Sequence, residues 1–266
     1  MNILVCVKQV PDTTEIKIDP VTHRLMREGV PSIMNPFDAY ALETALRIKD
    51  VNGAHITVIS MGLPQAGAVL KEALAVGADE ICLVSDRPFG GADTLATSYT
   101  LSMAAKALEE KQGAPFDLIF CGKQAIDGDT AQVGPEMAEH LGRPQVTYAV
   151  SAELVEGGVR VRRETDSGYD IVQAGLPALI SVTKTPYELR FPKIRNKMAA
   201  LRATVPVLTA ADLKADSERI GGTGSATRVK RSFTPDVKKS GVLLKGISGT
   251  DAAAKLAAAL EEAHLV

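Results

Sequence analysis

Short apolar runs alternate with helical patterns through the first half of the chain, and this alternation constrains the fold more than any other feature. The runs cover residues 2–8, 54–60, 80–85 and 116–121. They are apolar almost throughout, as parallel strands are when helices cover both faces of their sheet. The pattern predicts an α/β fold with a doubly wound, mostly parallel sheet and right-handed crossovers.

Capping residues predict where the helices between these strands begin. Asn35 precedes Pro36, and Asp38 follows in what would be the first turn, which is a compact helix start. A second helix is predicted over about 66–76, closed by Gly77. A third is predicted over about 94–111, with Asp93 as its N-cap. Residues 9–33, with alternating polarity at 15–19, predict an excursion that contains a small hairpin.

In doubly wound sheets, ligands bind beyond the carboxyl ends of the strands. Lys8, Met61, Gly62 and the loops 86–97 and 122–133 are predicted to lie at that edge. The loop 122–133 is rich in Gly and Asp and leads into a helix, so its backbone N–H groups and the helix dipole suit a phosphate. An ordinary βα loop with an N-cap is the alternative, because the P-loop and G-x-G-x-x-G patterns are both absent.

Two details of this edge have alternative interpretations. The hydroxyls of Thr94 and Thr97 either face a phosphate or cap the local backbone. Pro135 is either the first residue of a short helix capped by Gly134, or a kink in a helix that begins at Asp129 and has Gln132 completing a capping box. We expect the second arrangement, because it aims the helix N-terminus at a diphosphate.

Composition excludes several classes of function. With 45% hydrophobic residues, 23% charged residues and a net charge of −2, the composition gives no indication of a basic surface for nucleic acid. No apolar run approaches the roughly 20 residues of a membrane-spanning helix, so we expect no membrane insertion and a cytoplasmic location. Cys6, Cys82 and Cys121 lie far apart inside apolar runs, which indicates buried thiols and argues against disulfides, zinc or an iron–sulfur centre.

The second half of the chain changes character twice. After Pro144, shorter alternating segments predict an antiparallel or mixed extension that completes the same domain. From Pro186, core periodicity is lost, and the segment 186–200, called the arm below, mixes basic with apolar residues. It is either an arm lying on a partner or a disordered tail. Residues 221–226 predict a flexible spacer, and residues 251–264 predict a terminal helix. The predicted division is 1–185, 186–235 and 236–266.

Three segments together resemble one family. Residues 5–9 (VCVKQ), 34–38 (MNPFD) and 121–135 (CGKQAIDGDTAQVGP) look like the beta subunit of electron-transferring flavoproteins, and the similarity runs across essentially the whole chain. The resemblance implies an adenine nucleotide alpha hydrolase-like sheet and a heterodimer with an alpha subunit that carries FAD. It also implies an adenine nucleotide in the 1–185 domain, a partner-docking loop and extended arm in 186–235, and packing of 236–266 on the alpha subunit.

The family has two branches, which differ in that nucleotide. In the electron-shuttle branch it is a structural AMP. In the bifurcating branch it is FAD, which takes hydride from NADH. One electron goes to the alpha-subunit flavin, and onward to an acyl-CoA dehydrogenase, and the other goes to ferredoxin or flavodoxin. Residues 128–135 resemble the bifurcating branch more closely. The AMP-binding shuttle and a stand-alone adenine-nucleotide-binding protein remain as alternatives.

The resemblance also implies which residues contact the nucleotide. Backbone N–H groups of 128–132 would take the diphosphate, Thr94 and Thr97 would add contacts that only FAD needs, and Lys123 is either a cation for the ligand or a solvated lysine. No side chain need act as acid or base, because the flavin carries the chemistry. The remaining positions carried over are Cys6, Asn35, Phe37, Asp38, Met61, Gly62, Gly122, Gln124, Ala125, Asp127, Gly128, Asp129, Thr130, Ala131, Gln132 and Val133.

The arm has an implied role as well. Ile194, between Phe191 and Met198, falls where the family places an aliphatic anchor that docks into a partner dehydrogenase. The sequence departs from the family here, with Arg195-Asn-Lys where a glycine is commoner.

Overall fold

The computed structural model describes residues 1–12, 31–230 and 241–266. The hairpin predicted around residues 15–19 lies outside them. The strands are β1 (Asn2–Cys6), β2 (Gln9–Pro11), β3 (Ser32–Met34), β4 (His55–Met61), β5 (Glu80–Val84), β6 (Leu118–Gly122), β7 (Gln145–Val155), β8 (Gly158–Thr165), β9 (Gly168–Ala174), β10 (Ala178–Val182) and β11 (Val207–Leu208). The helices are α1 (Pro36–Asn52), α2 (Gly67–Val76), α3 (Thr94–Gln112), α4 (Val133–Leu141), α5 (Ile194–Arg202), α6 (Gly221–Gly224) and α7 (Gly249–Glu262).

One sheet has the strand order β11-β5-β4-β1-β6-β10-β7-β8-β9. Neighbours from β11 to β7 are parallel, and the pairs β7–β8 and β8–β9 are antiparallel. The chain moves outward from β1 through β4 to β5 and then returns to β6 on the other side of β1. The strand order therefore reverses between β1 and β6, and the crevice outside their carboxyl ends is the expected ligand position of such a sheet.

Alternating residues of β1 face two separate hydrophobic cores. Ile3 and Val5 pack with residues of α1 and α2, whereas Leu4 and Cys6 pack with residues of α3 and α4. This two-sided burial explains why the strands read as continuous apolar runs. The predicted α/β fold with a doubly wound, mostly parallel sheet is confirmed.

The part of the sheet after Pro144 is mixed, and the strand pattern did not indicate the position of one strand, β10. Strand β10 does not extend the edge but enters between β6 and β7, parallel to both. Strand β7 bends next to this insertion, because Tyr148 has a φ of 55° and the register to β8 shifts between Ala149 and Ser151. The early part of β7 thus pairs with β10, and its later part pairs with β8.

Residues 207–227 return to the α/β sheet after the arm. Strand β11 pairs with β5, and Leu213 and Ile220 are buried against the α3 side of the core. The prediction of a flexible spacer at 221–226 is wrong, because α6 packs on the chain before α3. Gly221 has a φ of 55°, and a Cβ there would lie 1.9 Å from the Pro88 carbonyl oxygen. Gly222 N–H also donates to the Gly90 carbonyl.

The last described segment makes few contacts of its own. Helix α7 is N-capped by Ser248, whose Oγ accepts from the Asp251 N–H at 3.1 Å, which agrees with the predicted terminal helix. None of residues 241–266 is buried. Among the described residues, no helix is both long and apolar enough to cross a membrane.

Candidate functional site

Asp38 joins the two strand ends at the point where the strand order reverses. One carboxylate oxygen accepts from the Lys8 N–H, just after β1, at 2.7 Å, and the other accepts from the Gly122 N–H, at the end of β6, at 3.0 Å. Asp38 is only 6% exposed. Burial raises the pKa of Asp38 to about 7, although both hydrogen bonds and the nearby Lys8 charge act in the opposite direction. Both oxygens have donors within the chain, so this carboxylate holds the two strand ends in place.

Asn35 and Lys8 brace the first half of the loop that follows β6. Asn35 Nδ2 donates to the Gln124 carbonyl at 2.8 Å, and its Oδ1 accepts from the Ile126 N–H at 3.1 Å. Lys8 Nζ lies 2.6 Å from Asp127 Oδ1. Asn35 begins α1 as predicted, but its side chain makes no cap bond to that helix. Its amide instead fixes the loop against the start of α1.

The second half of the loop leads into α4. Gly128 closes a turn on Ala125, and Ala131 then adopts a left-handed φ of 56° before Gln132. The chain that the structure describes supplies no acceptor for the N–H groups of residues 129–132. A change of backbone hand next to a helix start is the kind of geometry that turns successive N–H groups toward one anion. The second half of this loop therefore suits a phosphate.

The expected start of this helix at Asp129 is wrong. Helix α4 begins at Val133 with Gln132 as its N-cap residue, and Gln132 makes no side-chain cap bond. The left-handed Ala131 interrupts any helix begun earlier, because such a φ is incompatible with helical geometry. Pro135 therefore lies inside the first turn, where its missing N–H costs no helical hydrogen bond.

Two glycines allow the helix starts to approach β6 closely. A Cβ on Gly122 would lie 2.3 Å from Asp38 Oδ1, 2.7 Å from Phe37 Cβ and 2.8 Å from the Asp38 nitrogen. A Cβ on Gly134 would lie 2.7 Å from Cys121 Sγ. The first turns of α1 and α4 thus lie against the end of β6 from its two sides. We call this region, with the ends of β1 and β6 and the loop 123–133, the β1–β6 edge.

The start of α3 adjoins the start of α4. Thr94 Oγ1 donates to Glu136 Oε1 at 3.1 Å, and Asp93 caps α3 by accepting from the Ala96 N–H at 3.1 Å. Glu136 Oε2 is buried and has no hydrogen-bond partner in the described chain. Thr97 lies half-buried in the same first turn. Sequence reasoning missed Glu136, although its place in the first turn of α4 was a usable signal.

Not all of the other predicted contact residues present a side chain to the β1–β6 edge. Met61 and Gly62 end β4, one strand away from β1, and Gly62 N–H donates to the Val84 carbonyl at 3.1 Å. Lys123 Nζ lies 4.8 Å from the centre of the Tyr148 ring. The thiol of Cys6 lies in the core, 4.0 Å from Met137 Sδ. Only the backbone of Cys6 is therefore placed to contact a ligand at the edge.

The prediction of buried thiols is confirmed. All three cysteines are free and buried. Burial is the largest cause that raises the pKa of each thiol, for Cys82 to about 11. These cysteines therefore belong to the packing of the sheet.

The arm presents apolar side chains to solvent. Phe191 is 91% exposed, Ile194 is 81% exposed and Met198 is 52% exposed. Helix α5 contacts α2, where Ala200 is buried and Lys71 Nζ donates to the Leu201 carbonyl at 2.9 Å. The arm is thus attached to the domain on one side and leaves an apolar surface open on the other.

Comparison with known proteins assigns the chain to a family. A model of the electron transfer flavoprotein domain matches residues 22–213. The electron transfer flavoprotein subunit beta of Megasphaera elsdenii is 53% identical over 247 residues, which cover 92% of each chain. The chain belongs to the electron transfer flavoprotein family. The resemblance inferred from residues 5–9, 34–38 and 121–135 is therefore confirmed.

Two further relatives of this flavoprotein chain match it over its full length. The electron transfer flavoprotein subunit beta of Clostridium acetobutylicum is 49% identical over 267 residues, which cover 100% of each chain. Subunit CarD of the caffeyl-CoA reductase-Etf complex of Acetobacterium woodii is 44% identical over 267 residues, also 100% of each chain. The similarity thus includes the arm and the terminal helix as well as the sheet.

Proposed function

We propose that this chain is the beta subunit of a heterodimeric electron transfer flavoprotein and binds an adenine nucleotide at the β1–β6 edge. The observation that carries the proposal is the loop 128–133, whose N–H groups and following helix start lie where the strand order reverses. Asp38 and Asn35 hold the strand ends and the loop in place without occupying that anion position. The residues present therefore fit a nucleotide diphosphate.

We infer that the nucleotide is FAD. FAD extends beyond the diphosphate, and the polar pair of Thr94 and Glu136 next to α4 offers further hydrogen-bonding groups for its hydroxyls. FAD bound there would accept hydride from NADH and pass electrons to the alpha-subunit flavin and to ferredoxin or flavodoxin. The 44% identity to a subunit of a caffeyl-CoA reductase complex supports an acyl-CoA dehydrogenase as redox partner.

The chain's own task would be to bind and orient this nucleotide. The backbone of residues 128–132 would hold the diphosphate, and Asn35 would keep the loop at a fixed distance from α1. No side chain at the edge needs to act as a general acid or base.

The segment 241–266 is proposed to pack on the alpha subunit. None of its residues is buried, yet it carries exposed apolar side chains, including Val242 at 90%, Leu243 at 73% and Leu256 at 55% exposure. A terminal segment whose apolar side chains are exposed is typical of a subunit that packs on a partner chain.

Extraction of the nucleotides from the purified heterodimer tests the proposed cofactor. We expect two FAD for each heterodimer, one from each subunit. One FAD with one AMP would instead support the electron-shuttle alternative. A stable monomeric chain that binds an adenine nucleotide without an alpha subunit would support the stand-alone alternative.

Replacing Ile194 with alanine is predicted to weaken docking to the dehydrogenase. Because Ile194 is a highly exposed aliphatic residue at the start of α5, its loss should raise the KM for the dehydrogenase about 5- to 30-fold, as truncation of an interface anchor does. Steady-state electron transfer in the heterodimer measures this, with flavin content determined in parallel. Ile171→Ala is the control, because Ile171 is also an exposed isoleucine, at 59%, but lies on the edge strand β9. An unchanged KM in the Ile194 variant would refute the docking role.

A further inference from the structure

Helix α1 contains a buried acidic residue beyond the turn that forms the β1–β6 edge. Its first turn contains Asp38, and Glu43, farther along the same helix, is only 4% exposed. A buried carboxylate is costly unless charged groups pair with it. Glu43 therefore needs positively charged partners, and they come from the arm and from α1 itself.

Arg190 is the main partner of Glu43. Its Nε donates to Glu43 Oε2 at 2.8 Å, and its Nη2 donates to Glu43 Oε1 at 3.1 Å. Nη2 also donates to Asp50 Oδ2 at 2.8 Å. Two parallel bonds from one guanidinium fix direction as well as distance. The hydrogen bonds to Glu43 raise the pKa of Arg190 further above its usual range, so this guanidinium is charged at any physiological pH.

A second arginine ties the same part of the arm to α1. Arg47 Nε lies 3.2 Å from Glu43 Oε1, and the Arg47 guanidinium lies 4.2 Å from the centre of the Tyr187 ring. Residues 187 and 190 are thus both attached to one helix. Directly after them, Phe191 and Ile194 are almost fully exposed.

The arm is therefore fixed on α1 at residues 187 and 190, whereas its apolar side chains at Phe191 and Ile194 are open to solvent. An exposed apolar loop without attachment would lose conformational freedom when it docks, and that loss would weaken binding. A loop whose first residues are already ordered loses less conformational entropy when it docks. The attachment helix is also the one whose first turn braces the β1–β6 edge, so the arm and the edge share one rigid support.

We propose that Arg190 is a positioning residue that fixes the arm on α1, so that Phe191 and Ile194 are already ordered when a dehydrogenase docks on them. The proposal rests on the docking role of the arm given above. Arg190 itself is not the contact. It acts through Glu43 and Asp50 on the residues that follow it.

The test uses the assembled heterodimer with Arg190→Lys, which keeps the charge but loses the planar fork. Four quantities are measured: hydrogen exchange of residues 186–193, the KM and the kcat with the acyl-CoA dehydrogenase, and nucleotide content. We expect exchange to accelerate about tenfold and KM to rise about fivefold, while kcat and nucleotide content stay within about twofold. A double variant, Arg190→Gln with Glu43→Gln, removes both charges and should accelerate exchange as well.

Arg160→Lys is the matched control, because Arg160 pairs with Glu153 at 2.8 Å on the exposed face of β8. It should change none of these quantities. Unchanged exchange in both Arg190 variants, or an unchanged KM with faster exchange, would overturn the proposal. If Ile194→Ala also leaves KM unchanged, the docking role itself fails. The exchange result would still test whether Arg190 fixes the arm on α1.

Discussion

Replacing Gly122 with alanine is expected to cause a large loss of bound nucleotide. The new Cβ would lie 2.3 Å from Asp38 Oδ1 and 2.8 Å from the Asp38 backbone nitrogen, so the start of α1 has to move. Overpacking of this kind costs about 1–3 kcal/mol, and if that cost falls on the binding-competent state, affinity drops roughly 5- to 150-fold. The amount of nucleotide retained by the purified heterodimer, and its affinity after extraction and rebinding, measure the effect.

Gly175→Ala provides the control for this substitution. A Cβ at Gly175 meets nothing within 4 Å, and no left-handed φ requires glycine there. This variant should retain its nucleotide fully. If Gly122→Ala retains as much nucleotide as Gly175→Ala, the close approach of α1 to β6 does not shape the site.

Much of the fold followed from local patterns. The apolar runs at 54–60 and 80–85 correspond to β4 and β5 within one residue, and the helix predicted over about 94–111 is α3. Asp93 caps that helix through its side chain, and Gly77 and Gly113 end α2 and α3 with positive φ values. These signals lie within a few residues of the element they define, so the sequence alone carries them.

The features that were missed depend on distant parts of the chain. The run at 178–182 has the same apolar character at a sheet edge or in its centre, and only the bend of β7 at Tyr148 makes room for β10 beside β6. In the sequence, Gly221 looks like a glycine of a flexible linker. In the structure, the carbonyl group of Pro88 packs against it. The pairing of β10 with β6 joins residues 60 positions apart (Ala178 and Leu118), and Gly221 lies 133 positions after Pro88, so no local period records either outcome.

The candidate site shows the same division. The winding of the sheet placed Gly122 at one edge, because strand ends follow from it, and the family resemblance added Asn35 and Asp38. It did not indicate that the Asp38 carboxylate is turned inward to two backbone N–H groups, or that Glu136 lies against Thr94. Side-chain direction depends on the donors that packing brings nearby, and those donors come from the end of β1, from β6 and from the start of α3.

Asp38 should make the β1–β6 edge less stable as the pH rises, which is the reverse of the usual behaviour of a carboxylate. Its pKa in the folded chain is about 7, against an ordinary value of 3.8. The folded state therefore binds the proton more tightly, and stability falls between about pH 4 and pH 7, by up to roughly 4 kcal/mol. Below that window both states are protonated, and above it both are ionised, so the slope disappears on either side.

Asp38→Asn is expected to remove this slope. The amide oxygen accepts only one of the two N–H groups, so at low pH, where the wild-type carboxyl is protonated, the edge should be about 1–3 kcal/mol less stable in the variant. This difference should shrink as the pH rises towards 7, because only the wild type loses stability there. Hydrogen exchange at Lys8 and Gly122 in the assembled heterodimer, corrected for the intrinsic rate at each pH, gives the free energy of local opening. Asp129→Asn, which changes an exposed carboxylate of the same loop, should keep the wild-type slope. An Asp38→Asn protein with the wild-type slope would show that another group controls the pH dependence of the edge.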